Sequence, residues 1–263
     1  WNRPNAYQDL DFDHQLYEED VEDPYLIRHY ISDRSDYETV METTRSANAA
    51  GQKCFVFNVT MQNHSGYSQG WNNLERTIDL PDQLKNADSS AIQYLALARA
   101  SDDALKQLIE YYSQVEEPTM VVLFGDHQPP LKNAFYEELY GKALSERTTE
   151  EVMKQYITPF FIWANYDIEE QQNVAISPNY LGVLTAKLAG LPLTGFMEFL
   201  DELYQQLPAI TPVGILTADG QYLKRDELNE EQQALLEQYS ILNYCGMVDL
   251  FDEARDMFCV SEG

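Results

Sequence analysis

The chain has 263 residues, of which 17 are Lys or Arg and 44 are Asp or Glu, so its formal net charge at pH 7 is −27. Nucleic acid is not expected as a partner, because a phosphate backbone is bound by clustered cations that this composition does not supply. Hydrophobic residues make up 44% of the chain, which predicts a folded core and argues against a disordered chain.

The N-terminal half predicts two helices and two strands. Residues 38–50 have helix-forming composition and are followed by Gly51, the residue type that most often ends a helix. Residues 54–60 are β-branched and aromatic, which predicts a strand. Residues 89–114 carry apolar side chains at helical spacing. Residues 119–124 are nearly all apolar, as expected of a strand covered on both faces in a parallel sheet.

The C-terminal half continues the alternation of helices and strands. We predict helices at 133–144, 177–190, 194–207 and 226–242, a buried strand at 158–164 and a hairpin turn at 218–220. This order predicts an α/β fold, with a mostly parallel sheet flanked by helices. We assign residues 1–212 to the main body of a domain, and residues 213–263 to a small hairpin and helix packed on the same domain.

Two polar clusters follow predicted strands, at the position where ligands of α/β sheets bind. Asp126 and His127 come after the 119–124 strand, and these oxygen and nitrogen donors suit Mn²⁺, Zn²⁺ or Mg²⁺. A turn in which Asp126 caps backbone amides is the alternative. His64 follows the 54–60 strand and can donate to a phosphoryl oxygen or transfer protons. A structural loop histidine is the alternative there.

The chain opens with Trp1-Asn2-Arg3. An arginine guanidinium can bind a phosphate through two parallel hydrogen bonds, and a tryptophan ring can stack on a polyol. Without further context, an exposed chain end is the simpler interpretation of these residues. Trp71 and Trp163 are interpreted as core residues. No Gly-rich phosphate loop and no HExxH sequence occurs.

Several motifs in combination resemble the lipoteichoic acid synthase family. The opening Trp-Asn-Arg and five further segments carry the resemblance in the same order and spacing, over nearly the whole chain: residues 57–67, 121–130, 158–163, 177–181 and 239–244. The resemblance implies a sulfatase-like domain of the alkaline phosphatase superfamily. It also implies a membrane-anchored phosphoglycerol transferase that works on the extracellular face of the bacterial plasma membrane.

The resemblance further implies the roles of individual residues. Asp126 and His127 match ligands of Mn²⁺ or Mg²⁺, His64 matches a substrate-contacting histidine, and Trp1 with Arg3 match residues around glycerol phosphate. The family's threonine nucleophile and a glutamate ligand precede the Trp-Asn-Arg motif. We therefore expect this chain to be the C-terminal part of a catalytic domain, inactive alone, binding metal weakly or not at all, with the membrane helices upstream.

The implied reaction moves phosphoglycerol from a phosphatidylglycerol-type lipid to a polyol or glycan acceptor through a covalent phosphothreonine. Gln128 stands where close relatives that make lipoteichoic acid carry an aromatic residue, so a glucan, a glycolipid or another polyol is open as the acceptor. Two other interpretations stay open. One is a sulfatase or phosphodiesterase, in which water replaces the acceptor, and the other is a non-catalytic glycolipid-binding relative.

Overall fold

The computed structural model describes residues 3–247 and 254–260, so Trp1 of the predicted substrate site lies outside the described residues. The chain forms two compact units. The first unit comprises residues 1–117 and 129–141, and the second comprises residues 118–128 and 142–263. Among the described residues, no helix has both the length and the apolar character that crossing a lipid bilayer requires.

The first unit is mainly helical. Numbered along the whole chain, its elements are α1 (Arg3–Asp9), β1 (Leu26–Ile27), β2 (Tyr30–Ile31), α2 (Asp33–Ala49), α3 (Asp82–Ala87), α4 (Ser90–Tyr112) and α5 (Asn133–Tyr140), with a 3-10 turn at Glu18–Asp20. The predicted helices at 38–50, 89–114 and 133–144 are therefore confirmed. Helix α5 ends at Gly141, whose left-handed φ of 65° a residue with a side chain rarely adopts.

Helices α2 and α4 pack against each other and carry much of the first unit's structure. Ser32 caps α2, because its hydroxyl accepts a hydrogen bond from the Ser35 amide at 3.2 Å. Leu97 of α4 is fully buried in a core with Ile27 and Tyr67. The core therefore lies directly beneath the β1–β2 hairpin and the loop that contains residues 61–67.

The predicted strand at 54–60 is wrong. Residues 54–60 form no strand, and the Phe55 side chain is 77% exposed. Phe55 stacks on Phe12 with ring centroids 6.0 Å apart, which covers part of it. A β-prone sequence fits a pleated sheet only where a neighbouring strand pairs with it, and no described residue does so here.

The second unit contains the longer strands. Its elements are β3 (Met120–Phe124), α6 (Thr149–Lys154), β4 (Phe160–Ala164), α7 (Leu181–Leu188), α8 (Gly195–Gln206), β5 (Ala209–Ile210), β6 (Ile215–Leu216), β7 (Tyr222–Leu223), α9 (Glu230–Met247) and α10 (Arg255–Phe258), with 3-10 turns at Leu144–Glu146, Pro178–Tyr180 and Arg225–Glu227. The helices predicted at 177–190, 194–207 and 226–242 are confirmed, although α9 begins later and extends further than predicted. The predicted boundary at 212/213 stays a prediction.

Strand direction differs from the expectation. β3 and β4 pair antiparallel, with Met120 opposite Ala164 and Phe124 opposite Phe160. Every strand pair among the described residues is antiparallel, whereas a mostly parallel sheet was expected. The apolar run at 119–124 indicates burial, and burial does not encode the direction of the neighbouring strand.

The core of the second unit is built from α7, α8 and the small sheet β5–β6–β7. Its fully buried centre includes Leu203 and Leu207, with Ile215 of β6 and Leu236 of α9 packed against them. The predicted hairpin turn is confirmed between β6 and β7, where Gly220 has a left-handed φ of 82°.

Candidate functional site

Arg28 is the centre of a loop cluster in the first unit. Its guanidinium is 4% exposed and donates hydrogen bonds to the carbonyl oxygens of Gln62 and His64, both at 2.7 Å, and of Gly66 at 3.3 Å. Its Cζ atom lies 5.1 Å from the ring centroid of Tyr30. Burial lowers the pKa of the guanidinium from its ordinary value, and the tyrosine neighbours oppose that change. Arg28 therefore fixes the loop that carries His64.

His64 presents its side chain to solvent from this loop. Its Nδ1 atom lies 3.1 Å from the Tyr30 hydroxyl, and the two rings meet edge to face with centroids 5.8 Å apart. Nε2 has no hydrogen-bond partner among the described residues, so this nitrogen faces outward. The position suits the predicted contact of His64 with a substrate, which stays a prediction.

A buried polar network lies beneath the His64 loop. Gln62 is 1% exposed; its side-chain oxygen accepts from the Asp33 amide at 3.0 Å, and its nitrogen donates to Leu97 O and Ser101 Oγ. Ser101 donates a short hydrogen bond to the Asp33 carboxylate. Burial raises the pKa of Asp33 to about 6, because the charged form loses water that these contacts replace only in part. The loop thus rests on residues held rigidly by α2 and α4.

Tyr30, which contacts His64, belongs to a cluster of three aromatic rings. The His29 ring centroid lies 4.1 Å from that of Tyr30 and 5.2 Å from that of Trp71. Trp71, interpreted as a core residue from the sequence, is half-buried, and His29 is exposed. Sequence reasoning missed His29 and Arg28. The tripeptide Arg28-His29-Tyr30 was the available signal, since it combines a cation with two hydrogen-bonding rings in a chain that has few cations.

Asp126 and His127 lie in the second unit, directly after β3. The turn is anchored by backbone contacts, because the Gly125 amide donates to Pro159 O at 3.1 Å and the Thr158 hydroxyl donates to Gly125 O at 2.8 Å. A side chain at position 125 would meet Thr158 Cβ at 3.0 Å, so glycine allows this close approach. Both functional side chains point into solvent, with 81% of the Asp126 side chain and 69% of the His127 side chain exposed.

The geometry of the pair fits two ligands of one divalent cation. Asp126 Oδ2 and His127 Nε2 are 3.3 Å apart. Two donors bound to one ion at about 2.1 Å would be about 3.0 Å apart at a right angle and about 3.4 Å apart at the tetrahedral angle. His127 Nδ1 lies 3.0 Å from the Gln128 carbonyl oxygen, which can only accept, so Nδ1 donates there. Nε2 faces the Asp126 carboxylate, where it can donate to Oδ2 or share a cation with it.

The pair is only part of a coordination shell. Within residues 3–247 and 254–260, no three His, Cys, Asp or Glu side chains come together in a way that could hold a metal ion. The bond between His127 Nδ1 and a carbonyl is the contact that metal-binding histidines usually make, which fixes the ring orientation. The residues present therefore fit a divalent ion, with the other ligands still to be supplied.

Arg3 is the first residue of α1 in the first unit and is exposed. It forms no ion pair with an acidic side chain in the part of the chain that the structure describes. The structure thus places Arg3 and His64 in the first unit and Asp126 and His127 in the second. Their roles in binding substrate and metal stay predictions.

Comparison with known proteins gives three informative matches. Residues 1–191 match the model of the Sulfatase family. The chain is 27% identical over 224 residues to a Rhizobium meliloti (strain 1021) protein assigned by name to cyclic beta-1,2-glucan modification, covering 84% of this chain and 34% of that protein. It is 25% identical over 204 residues to an uncharacterized protein of Haemophilus influenzae, covering 73% of this chain and 34% of that protein. The chain therefore spans about a third of the length of these curated relatives.

One solved structure has a similar fold. It is the Streptococcus pyogenes phosphoglycerol transferase GacH in complex with sn-glycerol-1-phosphate, with a TM-score of 0.69 and 17% sequence identity. The match covers 99% of this chain and 62% of that one. At this identity the likeness establishes a shared fold.

Proposed function

The chain belongs to the sulfatase family, and on that premise we propose that it forms part of the active site of a metal-dependent phosphoglycerol transferase that modifies a glucan. The α/β, sulfatase-like fold that the motifs implied is confirmed by the family match and by the fold shared with GacH. The observation that carries the proposal is the Asp126–His127 pair. Its donor atoms lie 3.3 Å apart, and its histidine is oriented by a carbonyl.

The choice of donor and acceptor rests on the similar proteins. GacH is a phosphoglycerol transferase whose structure contains sn-glycerol-1-phosphate, which supports a phosphatidylglycerol-type lipid as donor. The Rhizobium relative is named for the modification of a cyclic beta-1,2-glucan, which supports a glucan as acceptor. Gln128 next to the metal pair agrees with an acceptor other than growing lipoteichoic acid. We place the reaction on the extracellular face of a bacterial membrane.

This chain's own residues would bind and orient the donor. Arg3 can bind a phosphoryl oxygen pair through its two guanidinium nitrogens, and His64 Nε2 can donate to a third oxygen. When bound at Asp126 and His127, Mn²⁺ or Mg²⁺ would neutralise phosphoryl charge and favour the ionised form of an attacking hydroxyl. In a chain of net charge −27, an anionic headgroup needs such local cations to offset the repulsion of the remaining surface.

The proposed nucleophile is a threonine in the polypeptide that precedes Trp1. Its oxygen forms a bond to phosphorus, and the bond from phosphorus to the diacylglycerol oxygen breaks, so diacylglycerol leaves after gaining a proton. A glucan hydroxyl then attacks the same phosphorus, loses its proton and releases the threonine. In this second step we assign the proton to His64 Nε2, which then does not donate to the phosphoryl group.

The test is release of diacylglycerol from labelled phosphatidylglycerol by the full-length protein, with and without Mn²⁺ and a beta-1,2-glucan. With the label in the headgroup glycerol, we expect metal-dependent release of diacylglycerol, transfer of the label to the glucan, and a loss of roughly two orders of magnitude or more in turnover in Asp126→Asn. Asp82→Asn is the matched control, since Asp82 is a strongly exposed carboxylate outside the site, and it should leave turnover unchanged.

A hydrolase is the second candidate, because the matching family model is that of the sulfatases. In that case water takes the place of the glucan, and the released phosphoglycerol appears free rather than attached to sugar. Metal-dependent cleavage without transfer would establish the hydrolase. Absence of turnover on phosphodiesters and sulfate esters alike would favour a non-catalytic binding relative.

A further inference from the structure

His29, Tyr30 and Trp71 form a cluster of contacting rings on the first unit, which we term the aromatic platform. His29 lies in the middle, with ring centroids 4.1 Å from Tyr30 and 5.2 Å from Trp71, and neighbouring ring planes differ by 37° and 38°. The His29 side chain is exposed, and the other two are half-buried. The Tyr30 hydroxyl joins the platform to His64 at 3.1 Å.

The platform is held in an arrangement that stability alone does not favour. Arg28, directly before His29, has a left-handed φ of 59°, which costs free energy in a residue with a side chain. The Trp71 indole nitrogen is buried and has no acceptor among the described residues. An exposed imidazole between two larger rings also leaves apolar surface in water. Such costs, gathered at one place beside His64, are typical of a binding site.

The chemistry of the platform suits a sugar ring. A β-glucose unit carries its hydroxyls at the rim and C–H groups on both faces, so a face can pack on aromatic rings while the rim forms hydrogen bonds. Tyr30 and His64 supply hydrogen-bonding groups at the edge of the platform. A neutral sugar also approaches a chain of net charge −27 without the repulsion that an anion meets.

We propose that the aromatic platform binds a glucose ring of the acceptor glucan and holds it beside His64. This inference rests on the proposed function, since it names the place where the proposed acceptor binds. It assigns Trp71 and His29 to acceptor binding, whereas Arg3 and the Asp126–His127 pair concern the donor and the metal. The platform therefore affects which acceptor is used and leaves donor cleavage to other residues.

The direct test is binding of sophorose, the disaccharide of β-1,2-linked glucose, to the 263-residue chain by calorimetry and saturation-transfer NMR. We expect Trp71→Ala to weaken binding at least tenfold and Trp71→Phe, which keeps a ring, to weaken it threefold or less. Trp163→Phe is the matched control, because Trp163 lies in β4 of the second unit, and it should leave binding unchanged. Saturation should transfer from the indole protons of Trp71 to the sugar.

Two results would overturn the inference. One is equal sophorose affinity in the parent chain and in Trp71→Ala, and the other is displacement of sophorose by glycerol, which has hydroxyls but no ring. If Trp71→Ala loses its circular dichroism spectrum, His29→Ala replaces it, because His29 is exposed. At least threefold weaker binding is then expected, and unchanged binding counts against the platform.

The sophorose-binding test and the test of the proposed transferase activity can fail independently of each other. Cleavage of labelled phosphatidylglycerol in the full-length protein tests the donor and Asp126 without any sugar present. Cleavage together with no sophorose binding would reject the platform alone. Sophorose binding that Trp71→Ala abolishes, together with no cleavage, would reject the transferase and keep the platform as a sugar site.

Discussion

The loop cluster around Arg28 and the turn at Asp126–His127 position functional side chains in opposite ways. Arg28 is buried and donates to carbonyl groups 34 to 38 residues further along the chain. Asp126 and His127 are exposed, and their side-chain contacts are with each other and with Gln128. In the first region the contacts that fix His64 also stabilise the fold. In the second region the side chains are free to bind a ligand at little cost in stability.

The largest expected effect is that of Arg28→Ala on the stability of the first unit. Loss of two charge-assisted hydrogen bonds at 2.7 Å leaves the carbonyls of Gln62 and His64 without this donor, so we expect a loss of about 3 kcal/mol or more. Urea unfolding followed by circular dichroism measures it. Arg34→Ala is the control: Arg34 is exposed and paired with Glu38, and its loss should cost less than about 0.5 kcal/mol. Equal urea midpoints for Arg28→Ala and Arg34→Ala would show that the buried Arg28 contributes no more to stability than an exposed arginine does.

Much of the fold could be predicted from local patterns, and the difference between the two regions shows why the rest could not. The helix at 89–114 and the strands at 119–124 and 158–164 follow from apolar spacing, which is a local property. The strand at 54–60 was wrong because strand formation depends on a partner, and the sequence of one segment does not name its partner. The antiparallel direction of β3 and β4 was missed for the same reason.

The candidate site divides in the same way. Asp126 and His127 could be found from the sequence because both donors are adjacent in the chain and follow an apolar strand. Arg28 could not, because its partners are backbone carbonyls, which any residue carries. His29 and Trp71 are far apart in the sequence, and only the folded loops bring their rings together.

The second largest expected effect is the pH dependence of the contribution to stability made by Asp33, which lies in the polar network beneath His64. Burial raises its pKa from 3.8 to about 6, so the folded state holds the proton more tightly than the unfolded state does. The contribution of Asp33 to stability is therefore greatest below about pH 4, falls as the pH rises to about 6, and is constant above that. The contribution is about 2 to 3 kcal/mol.

Asp33→Asn should remove this slope, because the amide stays neutral throughout. The quantity to measure is the difference in unfolding free energy between variant and parent from about pH 4 to about pH 7. The unfolding free energy of the variant minus that of the parent should increase as the pH rises. The contributions of the other carboxylates are the same in both proteins and cancel in this difference. Asp82→Asn, at an exposed position, should give a flat difference. A flat line for Asp33→Asn would show that Asp33 titrates as an ordinary carboxylate.

A smaller effect is expected from Tyr30→Phe, which keeps the ring and removes the hydroxyl 3.1 Å from His64 Nδ1. This hydrogen bond joins an exposed side chain to a half-buried one, so its loss should cost about 0.5 to 1 kcal/mol of stability. Since the hydroxyl orients the His64 ring, turnover in the full-length protein should fall several-fold, mainly in kcat. A fall confined to stability would show that Tyr30 supports the loop without positioning His64.

The smallest effect on stability is expected at the turn itself. Asp126 accepts a hydrogen bond from the His127 amide at 2.8 Å, and the amide oxygen introduced by the substitution Asp126→Asn can accept the same bond. This variant should therefore change the unfolding free energy by less than about 0.5 kcal/mol. In the full-length protein it should weaken binding of Mn²⁺, followed by electron paramagnetic resonance, at least tenfold. Glu146→Gln, at another exposed carboxylate of the second unit, should alter neither quantity. If Asp126→Asn instead cost more than about 1 kcal/mol and left Mn²⁺ binding intact, the turn would be a structural element like the Arg28 cluster. Its carboxylate would then cap backbone amides, which is the alternative that the sequence left open.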